Sequence, residues 1–258
     1  AFGQAVIVTL IQVGGLGIMT FSTTALWALG RRMSLRHEGA VASLLSTKDR
    51  GHLFATAKRI LQLTAIAEMS GAILLTAAFM VHGDDFFAAL WRGVFTSISA
   101  FCNAGFALQS QSLIPYQQSP FVLHVVGALI ILGGLSPMAV FAMPALARRR
   151  SAPVAAQAKL SLIAAAVLLF LGFVLILAFE WSESLSGLPI VDRIHNAWFQ
   201  SVTLRTAGFN SIDITAVRPS TLTLMLLWMF IGGSPGGTAG GVKTTTVSIL
   251  VLSVVHAI

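Results

Sequence analysis

Asn103-Ala104-Gly105-Phe106 and, a hundred or so residues later, Thr206-Ala207-Gly208-Phe209 are the stretches that decide how this chain folds. Each closes a helix-like segment that is short and polar for a bilayer crossing, about residues 86–101 in one case and 190–204 in the other. Arg92 lies in the first, Arg193 and His195 in the second. The likeness extends upstream: Phe95-Thr96-Ser97-Ile98 is echoed by Phe199-Gln200-Ser201-Val202, with one residue fewer before the turn in the second copy. Long apolar runs stand on either side of each copy. The unit reads helix, short helix, Gly turn, helix, and it occurs twice.

Composition agrees. Of 258 residues, 56% are hydrophobic and 10% charged, whereas a soluble domain carries roughly a quarter charged residues. Runs at about 1–30, 53–82, 119–147, 155–180 and 218–258 exceed the roughly 20 residues that span a hydrocarbon core. An all-α membrane protein is predicted. The net charge of +7 is concentrated in Arg31, Arg32, Arg36, Lys48 and Arg50 and in Arg148, Arg149 and Arg150. Short basic loops between apolar spans face the cytoplasm, so loops 31–52 and 148–154 are expected there. The charge therefore reports orientation, and no nucleic-acid partner is expected. The single cysteine, Cys102, excludes an intrachain disulfide framework.

Parity then constrains residues 86–101. If they crossed the membrane, the two basic loops would lie on opposite sides. Both fall on one side only if 86–101 enters and leaves from the outer face as a re-entrant helix. For 190–204 the same reading rests on length and on the repeat.

Non-helical backbone at membrane depth survives only where it is buried in protein or lines water. A short helix aiming its C-terminal end inward adds partial negative charge. Carbonyls of a following turn can replace the hydration shell of K⁺. The candidate ligands are the backbone oxygens of Asn103, Ala104, Gly105, Thr206, Ala207 and Gly208. Phe106 and Phe209 are expected to wedge the turns in place, and Arg205 to brace the second by pairing with an acidic neighbour such as Asp213. The alternative is an ordinary Gly turn capping each of two amphipathic helices.

The last apolar run is interrupted by Gly232-Gly233-Ser234-Pro235-Gly236-Gly237-Thr238-Ala239-Gly240-Gly241-Val242-Lys243. Gly costs about 1 kcal/mol and Pro about 3 against Ala inside a helix, so no regular helix passes through. A phosphate-binding loop requires Gly directly before the Lys; Val242 stands there, which rejects it. Two readings remain, a loop outside the membrane and an intramembrane loop that gates a cation path beneath the turns.

Together, Gln12-Val13-Gly14-Gly15-Leu16-Gly17, the Asn103 turn, Arg205-Thr206-Ala207-Gly208-Phe209 and the 232–246 stretch resemble the Trk/Ktr/HKT superfamily of potassium uptake proteins. Ser234 to Thr246 looks most like the Ktr-type membrane subunit. The resemblance implies four helix–pore-loop–helix repeats around a pseudo-fourfold pore. Residues 1–30 would be the closing helix of repeat 1, 53–147 repeat 2 and 148–258 repeat 3, with filter glycines Gly105 and Gly208 and gate loop 232–243. The first pore loop and the fourth repeat would lie elsewhere in a longer chain. It also implies a multi-pass protein of the plasma (inner) membrane that forms a homodimer and works with a cytoplasmic nucleotide-binding regulatory subunit. K⁺ would be cargo, with no cofactor and no enzymatic activity. Within the same architecture an Na⁺-conducting or Na⁺/H⁺-coupled transporter is the alternative; a non-conducting scaffold is another. Glu68 lies inside a span, either facing the pore or hydrogen-bonded in the packing. No nucleophile–base pair or metal-ligand set suggests an intramembrane enzyme.

Overall fold

The computed structural model describes residues 2–15, 17, 53–147 and 156–257. Leu16, most of the second half of the 1–30 run, and both expected cytoplasmic loops, 31–52 and 148–154, lie outside the described residues. The described elements are helices: α1 Phe2–Gly15, α2 Leu53–Val81, α3 Phe86–Phe101, α4 Pro120–Gly134, α5 Pro137–Ala147, α6 Ala156–Glu180, α7 Ile190–Thr203, α8 Pro219–Phe230 and α9 Thr244–Ala257. The chain is all-α.

Helix length separates two classes. The stretches Thr56–Val81 of α2 and Gln157–Glu180 of α6 are long and apolar enough to cross a membrane. By contrast α3 has 16 residues and α7 has 14. At about 1.5 Å per residue these rise roughly 24 and 21 Å, short of the ~30 Å hydrocarbon core. Asp85 starts α3 by accepting from the amides of Phe87 and Ala88 at 3.1 and 3.2 Å, which satisfies two orphan donors of the first turn. The arginines on the short helices are accounted for. Arg92 pairs with Asp84 at 2.7 Å and donates to the Tyr116 hydroxyl at 2.8 Å. Arg193 donates to the carbonyls of Leu188, Trp181 and Ser186 at 2.8, 3.0 and 2.6 Å.

One expectation is corrected. Residues 119–147 are not a continuous span: α4 and α5 meet at 114° across Leu135 and Ser136. The local cause is Ser136-Pro137. Pro disfavours helical backbone in the residue before it, and the Ser136 hydroxyl accepts from the Ala139 amide at 3.1 Å, starting a new helix. The carbonyls stranded at the end of α4 are taken by a distant part of the chain, as described below.

In the packing, α2 lies on α3 and α6 on α7, while α4 touches both short helices. Phe79, Leu123, Ile130, Phe199 and Phe209 are buried together in the core between them. A second cluster of Ile176, Leu185, Ile212 and Met225 fixes α7 against α6 and α8.

Candidate ion-path site

The two Gly turns are built alike, down to individual atoms. Ser97 donates to the Glu68 carbonyl of α2 at 2.8 Å, and Ser201 to the Leu169 carbonyl of α6 at 2.7 Å. Both contacts depend on glycine in the long helix. A Cβ on Gly71 would lie 2.5 Å from the Ser97 hydroxyl, and one on Gly172 2.6 Å from that of Ser201. At the far end, Ser99 donates to the Phe106 carbonyl and Thr203 to the Phe209 carbonyl, each at 2.8 Å. The alanine amides cap the short helices, Ala104 on Ser99 at 2.9 Å and Ala207 on Thr203 at 3.0 Å. The first cap reaches one residue further back, so the extra residue of copy one is absorbed at the end of α3.

Each turn then runs through the left-handed region twice. Asn103 and Thr206 have φ of 52° and 66°, Gly105 and Gly208 of 72° and 84°. The glycines also meet. A Cβ on Gly105 would stand 2.6 Å from the Ala207 carbonyl oxygen and 2.8 Å from the Gly208 Cα. Among the described residues, none donates a hydrogen bond to the carbonyl oxygens of Asn103, Ala104, Gly105, Thr206, Ala207 or Gly208. Six backbone acceptors at two touching turns thus have no donor among the described residues.

The 232–243 segment is pinched at its neck by hydrogen bonds from Gly232 to the Val242 carbonyl and from Val242 to the Phe230 carbonyl, both 3.0 Å. It caps the broken end of α4: the amides of Ser234 and Thr238 donate to the carbonyls of Gly134 and Gly133 at 2.9 and 2.8 Å. It reaches both turns as well. The Asn103 amide nitrogen donates to the Thr238 hydroxyl at 2.7 Å, which donates onward to the Phe101 carbonyl at 2.8 Å. The Gly240 amide donates to the Thr206 hydroxyl at 2.8 Å. Ser234 and Ala239 are buried, Pro235, Gly237 and Thr238 partly so, and Gly236, Gly240 and Gly241 are exposed. Lys243 bends back to donate to the Ala239 carbonyl at 2.7 Å.

The supporting residues stand differently, and one expectation about them is corrected. Phe209 is fully buried, while Phe106 is 53% exposed among the described residues and borders a cavity shared with Ile7, Leu10 and Gly14 of α1. Arg205 is not paired with Asp213, whose carboxylate accepts instead from the amide and hydroxyl of Thr215 at 2.9 and 2.7 Å. The Arg205 side chain is buried near Gly134, with Nε and Nη1 unpartnered among the described residues. Glu68 accepts from Gln12 at 3.1 Å and lies 3.9 Å from the Cys102 thiol, which joins α1 and α2 to the first turn.

Ser97, Ser201, Gly71 and Gly172 were not singled out from the sequence as functional. The two serines lie inside the upstream echo, and that repeat was the available signal. Gly133 gave none, since its role depends on a partner far along the chain.

Comparison with known proteins follows the same outline. The family model TrkH, described as a cation transport protein, matches residues 1–258. The chain is 34% identical over 256 residues to the Ktr system potassium uptake protein B of Bacillus subtilis (strain 168), covering 98% of this chain and 57% of that protein. It is also 34% identical over 260 residues to the potassium/sodium uptake protein NtpJ of Enterococcus hirae, covering 99% and 56%. The crystal structure of the potassium transporter TrkH from Vibrio parahaemolyticus superposes with a TM-score of 0.64 at 23% identity, over 96% of this chain and 47% of that one. The chain thus spans little more than half the length of these curated relatives. It belongs to the TrkH family of cation transport proteins.

Proposed function

We propose that this chain forms two of the repeats of a potassium uptake protein, with α3 and α7 as re-entrant pore helices and the two Gly turns as half of its selectivity filter. The observation that carries this is the set of six carbonyls, from Asn103, Ala104, Gly105, Thr206, Ala207 and Gly208, without a donor among the described residues at two touching turns. Carbonyl dipoles in that arrangement substitute for the water of a K⁺ ion. Residues 1–30 would close repeat 1, and 53–147 and 148–258 would be repeats 2 and 3 around a pseudo-fourfold pore. The 232–243 loop beneath the turns is the gate. Its hydrogen bonds to α4 and to both turns support a defined closed position rather than a free tether. The 31–52 and 148–154 loops would face the cytoplasm from the plasma (inner) membrane. There a nucleotide-binding subunit would act on a homodimer of the full protein.

Restoring K⁺-limited growth with the full-length parent tests this. Gly105→Ser and Gly208→Ser should abolish rescue, and deletion of residues 236–241 should raise flux. Normal rescue by both serine variants would overturn the filter assignment. An Na⁺-conducting reading has one observation in its favour, the potassium/sodium name of the NtpJ relative. Growth rescue that is supported equally by Na⁺ currents through the parent would favour it.

A further inference from the structure

The loop touches the two turns at corresponding places. Asn103 and Thr206 are the first residues of their tetrapeptides, and both hold positive φ, at 52° and 66°. Such a backbone is unfavourable for most residues with a Cβ and persists where the surroundings hold it. Beside the helix-capping backbone bonds, the shortest side-chain contacts of both residues come from one segment. Asn103 donates to the Thr238 hydroxyl and Thr206 accepts from the Gly240 amide, two loop residues apart. Thr238 also donates to the Phe101 carbonyl at the end of α3, while its own amide is tied to Gly133.

Resting on the filter reading, we propose that Thr238 and Thr206 are positioning residues through which the loop sets the shape of the filter. The segment that blocks the path thereby also determines which ion the turns discriminate. Withdrawing the loop removes the shortest side-chain hydrogen bond of Asn103, which keeps only its 3.4 Å contacts to the Phe101 and Ile130 carbonyls, and at the same time the bond that holds the Thr206 hydroxyl. Closure and selectivity become one equilibrium instead of two. By linkage, an ion that binds the ordered turns must favour the closed loop to the same degree.

The test uses the full-length protein reconstituted in liposomes, with K⁺ and Na⁺ uptake measured separately. Thr238→Ser and Thr206→Ser keep the hydroxyl and should retain the parent's K⁺/Na⁺ ratio of uptake efficiencies. Thr238→Val removes one hydrogen-bonded group in nearly the same volume. It should lower that ratio about fivefold, the equivalent of one ordinary hydrogen bond. The Thr238→Val/Thr206→Val double variant should fall by a factor different from the product of the single changes, because the two contacts share one loop. A Thr238→Val variant that changes the maximal rate but leaves the ratio at the parent's value would reduce the loop to a simple plug and overturn the proposal. Should the valine variants fail to fold, the unaltered protein supplies the answer. Amide exchange over residues 232–243 should be slower in saturating K⁺ than in N-methyl-D-glucamine, and equal rates would overturn it. Gly105→Ser separates the two ideas. If it too leaves the ratio unchanged the filter reading fails, whereas a changed ratio there with none at Thr238 fails the clamp alone.

Discussion

The two copies share a frame and differ in what stands behind it. In both, a serine of the short helix bonds a carbonyl of the long helix across a glycine, and a hydroxyl two residues on holds the carbonyl of the closing Phe. Behind the first turn, Cys102 precedes Asn103, and Glu68 links it to Gln12 of α1. Behind the second, Arg205 precedes Thr206, and the residue matching Glu68 is the apolar Leu169. The frame is what the geometry of a Gly turn demands. The backing differs because the first turn has α1 behind it through Glu68 and Gln12, while the 232–243 loop and the end of α4 reach both turns.

The widest gap between the copies is expected at their glycines. A Cβ on Gly105 would meet the Ala207 oxygen at 2.6 Å, while one on Gly208 would meet the Gly105 Cα at 3.2 Å. Left-handed strain of roughly 1–2 kcal/mol is common to both. Gly105→Ala in the full-length protein should therefore cut K⁺ uptake by about a hundredfold or more, equivalent to ~2.7 kcal/mol, and Gly208→Ala by less. Equal losses would mean that the turns do not touch as described.

Next comes the backing. Glu68→Leu makes copy one resemble copy two but leaves the half-buried Gln12 side-chain amide without its acceptor. It should cost about 1–3 kcal/mol, read as a lower melting temperature in detergent, and Glu68→Gln should recover part of it. A melting temperature equal to the parent's would show that the carboxylate is dispensable.

The shared frame predicts likeness. Ser97→Ala and Ser201→Ala should each destabilise by about 0.5–1.5 kcal/mol, and by similar amounts. A wide difference would say that the two serines are not equivalent.

The smallest effect is expected at Asp213, which is fully exposed and has its carboxyl held below the ordinary aspartate range by the bonds from Thr215. A depressed value adds stability above the ordinary pKa of about 3.9, and that contribution is lost as pH falls through the lower folded value. Asp213→Ala should melt slightly below the parent at neutral pH, with the difference closing in acid. A difference that grows in acid would reverse the assignment.

Much of this was legible in order of residue number. Apolar run length separates α2 and α6 from the short α3 and α7, because bilayer thickness sets a length and the residues can be counted. The paired turns were legible because Ala-Gly-Phe recurs at the end of a similar short segment. What was missed depends on partners distant in the chain. The break at Ser136-Pro137 carries a helix-start signal, a Ser cap followed by Pro at the first helical position. It was masked by the apolar residues on either side. That Thr238 bonds Phe101 and Asn103, or that Phe106 lies open while Phe209 is buried, follows from packing that no local pattern encodes. Arg205 was assigned the nearest acidic residue in sequence, and that residue was already engaged by Thr215.

The break in α4 has a consequence for the order of assembly. The carbonyls of Gly133 and Gly134 find their donors in Ser234 and Thr238, which a ribosome adds about a hundred residues later. Until then a broken α4 would expose unpaired carbonyls to lipid, at a cost of several kcal/mol each. The nascent chain is therefore expected to hold residues 120–147 as one unbroken rod and to bend it only when the segment between α8 and α9 arrives. Cysteine-labelling of position 136 in stalled chains would reveal that change, protected before residue 238 emerges and altered afterwards. The mature architecture is in this sense an exchange, in which two interrupted helices each complete the other's backbone, and neither interruption is stable until both exist.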